Sequence, residues 1–538
     1  MTDALQGGGG DSGPAWWQRG VIYQVYPRSF QDMDGDGVGD LRGIVQRLDH
    51  LEWLGVDAVW ISPFYPSPMD DFGYDVTDHR AVDRVYGRMV DFGRLVTEAH
   101  ARGIRVIVDY IPNHTSFRHP WFIQARATRH NLRRDWYVWR DAAPGGGPPN
   151  NWLSAFGGSA WEWDEPTGQF YLHTFLREQP DLNWRNPAVE AEMLDVLRFW
   201  LDRGADGVRV DAVQVVIKDD QLRDNPPNPN YREGVDDPYD ALLRQHSADR
   251  PEVHALIGRM REIVESYGGR VLIGEIYNEV ERMMAYYGQE GRGVHFPYNF
   301  QLIKLPWQAR TLDAAVRRYE ELLPPGAWPN WVLGNHDRHR IASRVGPAQA
   351  RVAAMLLLTL RGTPTVYYGD EIGMRDVPIP PDRVQDPWEK NLPGRGLGRD
   401  PERTPMQWTA GPGADFTRGR PWLPLAGDFR AVNVAAQRVD PASMLTLHRA
   451  LLDLRRREPA LSVGGWAPVD ADGDVLAYLR SHRGSRFLIA LNLGAQPASL
   501  EFAGSGEIVL STLPDSDAGR VEGTIDLRGD EGVIIRLA

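Results

Sequence analysis

The chain has 538 residues, 42% of them hydrophobic and 25% charged. That composition belongs to a folded globular protein of about three domains and excludes a disordered or collagen-like chain. A net charge of -13 argues against a nucleic-acid or anionic-membrane partner, and the absence of Cys excludes disulfides, thiolate catalysis and Cys-ligated metal sites.

The first 17 residues, MTDALQGGGGDSGPAWW, carry no basic start and no apolar stretch, which predicts no secretory leader. No apolar run reaches about 18 residues, so no membrane span is expected and a cytoplasmic protein is the default reading. VIYQVYP near Val21 is the first strand candidate. The loop after it, DMDGDGVGD, alternates Asp32, Asp34, Asp36 and Asp40 among glycines, a hard-oxygen donor set suited to Ca2+. It is similar to the start of an EF-hand loop, but Gly43 stands where the closing Glu would be. A structural calcium loop between the first strand and first helix is expected, with a solvated acidic turn as the alternative.

Four segments then repeat one pattern, an amphipathic stretch ended by Gly followed by a short apolar strand: HLEWLGVDAVWISP, EAHARGIRVIVDYIPNH, FWLDRGADGVRVDAV and ESYGGRVLIGEIY. FPYNF at Phe296, NWVLGNH at Asn330 and TPTVYYGDE at Thr363 complete eight strands. The arithmetic is that of a parallel (β/α)8 TIM barrel; a doubly wound sheet is disfavoured because polar residues end at least five strands, as a ring-shaped site requires. The predicted barrel spans 14–112 and 186–460. Between its third and fourth strands, 113–185 contain PGGGPPNN and many Trp, and predict an inserted subdomain on the rim. An irregular Pro-, Asp- and Arg-rich excursion over 373–422 follows the eighth strand. After the helix SMLTLHRALLDLRRR, alternating short strands over 461–538 predict a C-terminal all-β domain.

Catalytic groups of such a barrel sit at the C-terminal ends of its strands. Those ends supply Asp109, Asn113 and His114, then Arg209 and Asp211, then Glu275, then Asn335, His336 and Asp337. A single acid there is equally well a helix cap. Three acids converging beside Arg and two His point instead to glycoside hydrolysis, in which one carboxylate attacks the anomeric carbon and another protonates the leaving oxygen. Arg209 lies two residues before Asp211 and shares its strand face, so it is expected to keep that carboxylate ionised. Glu275 must hold a proton at neutral pH, its pKa raised by Asp211 and apolar neighbours. Asp71 and Tyr74 in DDFGYD, Phe156 in NWLSAFGG and the run QPDLNW at Gln179 are rim candidates for gripping and stacking on a sugar; packing residues of a loop-rich subdomain are the alternative.

The motifs DYIPNH, GVRVDAV, GEIY, GNHD, QPDLNW and GRDPERTPMQW, in this order except that QPDLNW lies in the insertion, resemble glycoside hydrolase family 13, the α-amylase family. Within it the chain resembles the oligo-1,6-glucosidase and α-glucosidase group from about Trp16 onward, with IKDDQLRDNPPNPNY and VQDP near Val384 resembling bacterial α-glucosidases. The resemblance implies Asp211 as nucleophile, Glu275 as acid/base and Asp337 as transition-state stabiliser. It implies Asp71, Tyr74, His114, Phe156, Arg209, His336 and Arg399 as ligands of the non-reducing terminal glucose, with Arg403 the weaker candidate beside Arg399. Calcium would be held by Asp32, Asp34, Asp36, the Val38 carbonyl and Asp40.

These roles imply an α-glucosidase releasing α-glucose with retention from short maltose-like or sucrose-like substrates, with some transfer. The resembling 1,6-selective enzymes tend to carry Val after the nucleophile and 1,4-selective ones Thr; Ala212 is smaller than either. A dedicated transglucosidase or isomerase is the first alternative. A transporter-ancillary scaffold is the remote one, disfavoured by the complete acid set. Small oligosaccharides are the expected partners, no organic cofactor is called for, and the chain is expected to be a monomer or homodimer.

Overall fold

Short, apolar segments bounded by glycine become strands here because both of their faces are covered. In the computed structural model, which describes residues 13–515 and 519–538, eight such strands form one parallel sheet. They are β1 (Ile22–Val25), β2 (Ala58–Ile61), β3 (Arg105–Tyr110), β7 (Gly207–Val210), β8 (Val271–Glu275), β9 (Phe296–Tyr298), β10 (Asn330–Val332) and β11 (Thr363–Tyr367). Their order is β10-β11-β1-β2-β3-β7-β8-β9. Asn299 N–H donates to Asn330 Oδ1 at 3.4 Å across the seam between β9 and β10. Most of the N-terminal stretch read as lacking a leader lies outside the described residues.

Strand alternation divides the buried residues into two sets. Ile22, Ala58, Trp60, Ile107, Ile273, Phe296, Tyr298 and Val332 pack on one another inside the barrel. Tyr23, Val25, Val59, Val106, Val108, Val208 and Leu272 face outward into the larger core with the helices. The helix-Gly-strand pattern has a direct local cause at Leu41–Leu54: Asp40 caps its start by accepting from Gly43 N–H at 2.8 Å, and Gly55 ends it at φ 97°. That left-handed residue is cheap for glycine and costly for a side chain.

Three antiparallel strands in the order β4-β6-β5 (Trp139–Arg140, Gln169–Leu172, Trp161–Asp164) lie between β3 and β7, around Trp152, Trp161, Phe170 and Leu172. The chain after β11 runs through short turns and the helix Pro387–Asn391 before the long helix Met444–Arg457. A six-stranded antiparallel sheet closes the molecule: β12 (Gly465–Val469), β13 (Val475–His482), β14 (Ser485–Asn492), β15 (Ala498–Ser511), β16 (Arg520–Leu527) and β17 (Gly532–Leu537), ordered β12-β13-β14-β17-β15-β16. Tyr478 of this sheet is hydrogen-bonded to Thr359 of the barrel at 2.6 Å. Among the described residues no helix is long and apolar enough to cross a membrane.

Candidate active site

Sheet register brings the first acids together. β3 and β7 pair Asp109 with Arg209, and β7 and β8 pair Val210 with Gly274, so the next rung sets Asp211 beside Glu275. Arg209 is buried at the centre. Its Nη1 lies 2.8 Å from both Asp109 Oδ1 and Asp211 Oδ1, and its Nη2 lies 2.6 Å from Glu275 Oε1. One planar guanidinium therefore spans three carboxyls, with its own ring of charge stacked 5.0 Å from the Trp60 ring. The backbone turns sharply past Asp211: Ala212 takes φ 41°, and its N–H donates to Glu275 Oε2 at 2.8 Å.

Asp337 arrives from the loop after β10 into a different electrostatic setting. Its Oδ1 receives Arg403 Nη2 at 2.9 Å and Arg399 Nη1 at 3.2 Å, and His336 Nε2 stands 3.4 Å from Oδ2. Arg399 continues outward: Nη2 reaches Asp71 Oδ1 at 2.7 Å and Asp386 Oδ1 at 2.6 Å. Its guanidinium also lies 5.1 Å from the Phe156 ring. Tyr74 hydroxyl bridges His336 Nε2 at 2.7 Å and Asp109 Oδ2 at 3.1 Å, and its ring stacks on His336. His114 Nε2 is 3.2 Å from the Tyr74 carbonyl and from Gln179 Nε2, which also donates to Asp71 Oδ2. Nine of the ten sugar-site and catalytic candidates thus join one connected polar network, and Phe156 lies against it through its ring.

The two acid groups titrate in opposite directions. Burial, then mutual repulsion, pushes the Asp211 carboxyl well above the usual carboxylate range, and Glu275 is raised as well, again chiefly by burial. Arg209 opposes both shifts without cancelling them. The expectation that Arg209 keeps Asp211 ionised is therefore corrected: burial and the charge of Glu275 outweigh the guanidinium and favour the protonated form of this carboxyl. At Asp337 burial works the other way from its neighbours, and His336, Arg399 and Arg403 prevail, holding it well below the usual range. Asp109 is raised to about 6, mainly by burial. His336 and His114 are lowered by burial, the latter to about 4, which leaves the His114 imidazole neutral at pH 7.

Three residues belong to the site more firmly than sequence reasoning placed them. Arg403 meets Asp337 more closely than Arg399 does, although Arg399 was the preferred candidate. Asp386, in the VQDP run, clamps Arg399 through its Nε, its Nη2 and its backbone N–H. Trp60 Nε1–H donates to Asp109 Oδ2 at 3.3 Å from inside the barrel. The presence of VQDP and ERTPMQW was visible, but only folding shows that Asp386 of the first holds Arg399 while Arg403 of the second joins Arg399 on Asp337.

The acidic loop after β1 lies in a separate place. Carboxylate oxygens of Asp32, Asp34 and Asp36 lie within 4.8 Å of one another. Asp32 also accepts from Gly35 and Gly37 N–H and from Thr417 hydroxyl. Asp40, in contrast, turns both oxygens to backbone N–H groups, of Gly43 at 2.8 Å and Met33 at 2.9 Å. Val38 donates its N–H to Asp36 Oδ1. Burial and the charges of Asp34 and Asp32 raise Asp36, while Arg42 pairs with Asp34 at 3.3 Å from an exposed position.

Comparison with known proteins supplies the family. The profile described as "Alpha amylase, catalytic domain" matches residues 24–464, and a domain of unknown function (DUF3459) matches 464–534. A "Probable alpha-glucosidase" of Rhizobium meliloti (strain 1021) is 41% identical over 90% of this chain and 91% of its own. The crystal structure of the α-glucosyl transfer enzyme XgtA superposes with a TM-score of 0.94 at 42% identity, covering 98% of this chain and all of that one. The trehalulose synthase MutB of Pseudomonas mesoacidophila MX-45 superposes at 0.90 with 35% identity, over 98% of this chain and all of its own. A barrel with this rim of acids and arginines, matched along almost its whole length, belongs to the α-amylase family, and the chain is a glycoside hydrolase.

Proposed function

We propose that the enzyme is a retaining, exo-acting α-glucosidase that releases α-glucose from the non-reducing end of short α-glucosides such as maltose and sucrose, with some transfer to acceptors. The observation that carries this reading is the Arg209 bridge between Asp211 and Glu275. Two carboxyls held on the two terminal nitrogens of one guanidinium support a short separation, of the kind retaining enzymes use (about 5–5.5 Å) and inverting ones do not (about 6.5–9.5 Å). Asp211 attacks the anomeric carbon as Glu275 gives its proton to the departing oxygen. Water then attacks the glucosyl-Asp211 ester while Glu275 takes that water's proton back. Asp337, held ionised by its arginines, accepts from ring hydroxyls and faces the positive charge that grows on the sugar.

The Asp71–Arg399–Asp386 link supports an end-on pocket, because its fixed, buried charges recognise the hydroxyls of a terminal glucose. His114, Tyr74, His336 and Phe156 line the same terminal subsite. The Asp32–Asp34–Asp36 donors fit a hard divalent cation, which would supply charge neutralisation and hold the loop between β1 and its helix. Asp40 serves that site as the helix cap beside it.

Following p-nitrophenyl α-glucoside hydrolysis by NMR tests this reading: α-glucose forms first, and β-glucose as the initial product would overturn it. A second reading, transfer in place of hydrolysis, is favoured by one observation, the likeness to the α-glucosyl transfer enzyme XgtA and the trehalulose synthase MutB. Product analysis on concentrated sucrose and maltose separates the two. Free glucose as the main product supports hydrolysis, and dominant isomer or transfer products with little glucose reverse the order.

A further inference from the structure

Outside the catalytic network, three residues far apart in sequence meet at the mouth of the loops after β10 and β11. His339 Nδ1 lies 2.9 Å from Asp376 Oδ2 and 3.8 Å from Glu402 Oε2, and one donor atom from each lies within 4.8 Å of the others. His339 is half-exposed and Asp376 partly so, which leaves a path from solvent. Glu402 is buried at 1% exposure, and its Oε2, the atom aimed at His339, has no hydrogen-bond partner. A buried carboxylate oxygen without a donor is costly, and it invites either a proton or a cation.

The surroundings set up these donors. Asp376 is fixed from both sides: its Oδ1 accepts from Arg340 N–H at 2.9 Å and its own N–H donates to Ser343 hydroxyl at 2.7 Å, leaving Oδ2 to face the imidazole. No lysine or arginine ion-pairs with Glu402 among the described residues; His339 is its one partner. Ligands 2.0–2.2 Å from a tetrahedral zinc stand about 3.3–3.6 Å apart, and the 2.9 and 3.8 Å separations bracket that span. Imidazole nitrogen with two carboxylates is a donor set that zinc-class ions accept and that all-oxygen cations such as calcium prefer less.

We propose that His339, Asp376 and Glu402 form a binding site for one divalent transition cation of the zinc class, separate from the calcium loop. Three protein ligands leave a fourth position to water. The ion would tie the segment after Asp337 to the segment that carries Arg403. His339 and Glu402 are each next to or near residues that meet at Asp337, so the site acts as a staple beneath the sugar pocket and takes no part in bond cleavage.

The test is equilibrium dialysis of the full-length enzyme against micromolar Zn2+ in excess Ca2+, with metal content measured per chain. One retained zinc is expected, falling at least about tenfold in affinity in both His339→Ala and Glu402→Gln and unchanged in Asp34→Asn. Co2+ in place of Zn2+ should give the visible absorption of a low-symmetry, four- or five-coordinate site in the parent and lose it in His339→Ala. His339 is half-exposed, so its removal leaves a folded protein, verified by an unaltered thermal transition without metal. No bound zinc in the parent, or zinc kept by His339→Ala, overturns the proposal and leaves a simple His339–Asp376 ion pair over a protonated Glu402.

Discussion

Two crowds of acids in this molecule are handled in opposite ways. Around the barrel mouth, Asp71, Asp109, Asp211, Glu275, Asp337 and Asp386 are interleaved with Arg209, Arg399 and Arg403, every one of them buried or nearly so. In the loop after β1, Asp32, Asp34 and Asp36 face one another, and Arg42 reaches Asp34 from an exposed position at 3.3 Å. Buried charge must be paired, so the first cluster carries its own cations and can set each carboxyl's proton affinity separately. The second cluster, with an exposed arginine on Asp34, leaves room for an external cation. On the function proposed above, the same residue type serves proton chemistry in one place and a cation site in the other, and the arginines make the difference.

The sharpest way to break the first half of this comparison is Asp211→Ala. Loss of the attacking carboxylate is expected to lower kcat by roughly 10^4-fold or more, with the thermal transition and calcium response retained. A loss of only a few-fold in a maltose assay would move the nucleophile elsewhere. Glu275→Gln comes next, at about 10^2–10^4-fold on maltose. Because burial raises both carboxyls, with Glu275 repelling Asp211 and Asp337 repelling Glu275, the acid form of the pair persists to higher pH than that of an ordinary carboxyl and is lost as pH rises. Activity of the parent should therefore fall on the alkaline side, and a profile of kcat/KM against pH should lose that limb in Glu275→Gln.

Much of this arrangement was readable before folding. Gly-terminated helices and apolar strands gave the barrel, and strand-end positions gave Asp211, Glu275 and Asp337, because a parallel barrel places its chemistry by strand order. What stayed hidden depends on contacts between loops. Nothing in VQDP says that Asp386 grips Arg399 from 13 residues away through both its side chain and its backbone. The ranking of Arg399 over Arg403 rested on sequence neighbours, whereas Asp337 Oδ1 accepts from both. The alternating aspartates looked equivalent, yet Asp40 alone lies at the helix start, where exposed N–H groups take its oxygens first.

Arg399→Ala removes one cation from three acids at once and should cost about 3–5 kcal/mol of stability, since Asp71 and Asp386 are left buried without their main partner. KM for maltose should rise along with the loss of stability. Chemical denaturation that shows less than about 1 kcal/mol would mean that water replaces the guanidinium and that the network is looser than its distances imply. Asp337 adds a sign to this experiment. Its carboxyl is held below the usual range, so its ionised form contributes stability above the unfolded carboxylate pKa of about 4, and that contribution disappears as pH falls through and below it. The acid-side loss of stability should be shallower in Arg399→Ala than in the parent.

The smallest effect belongs to the other cluster. Removing calcium with a chelator, or weakening its site by Asp34→Asn, withdraws a ligand that binds only the folded chain, worth about 2.7 kcal/mol at a hundredfold excess over its dissociation constant. The expected result is a lower Tm with initial turnover unchanged at temperatures well below the transition. The loop lies apart from the sugar pocket, but it is tied through Asp32 to Thr417 in the segment that follows Arg399 and Arg403. A chelator that stopped turnover at once without unfolding would show that this tie transmits to the pocket, and the division of labour between the two acid clusters would fail at that hydrogen bond.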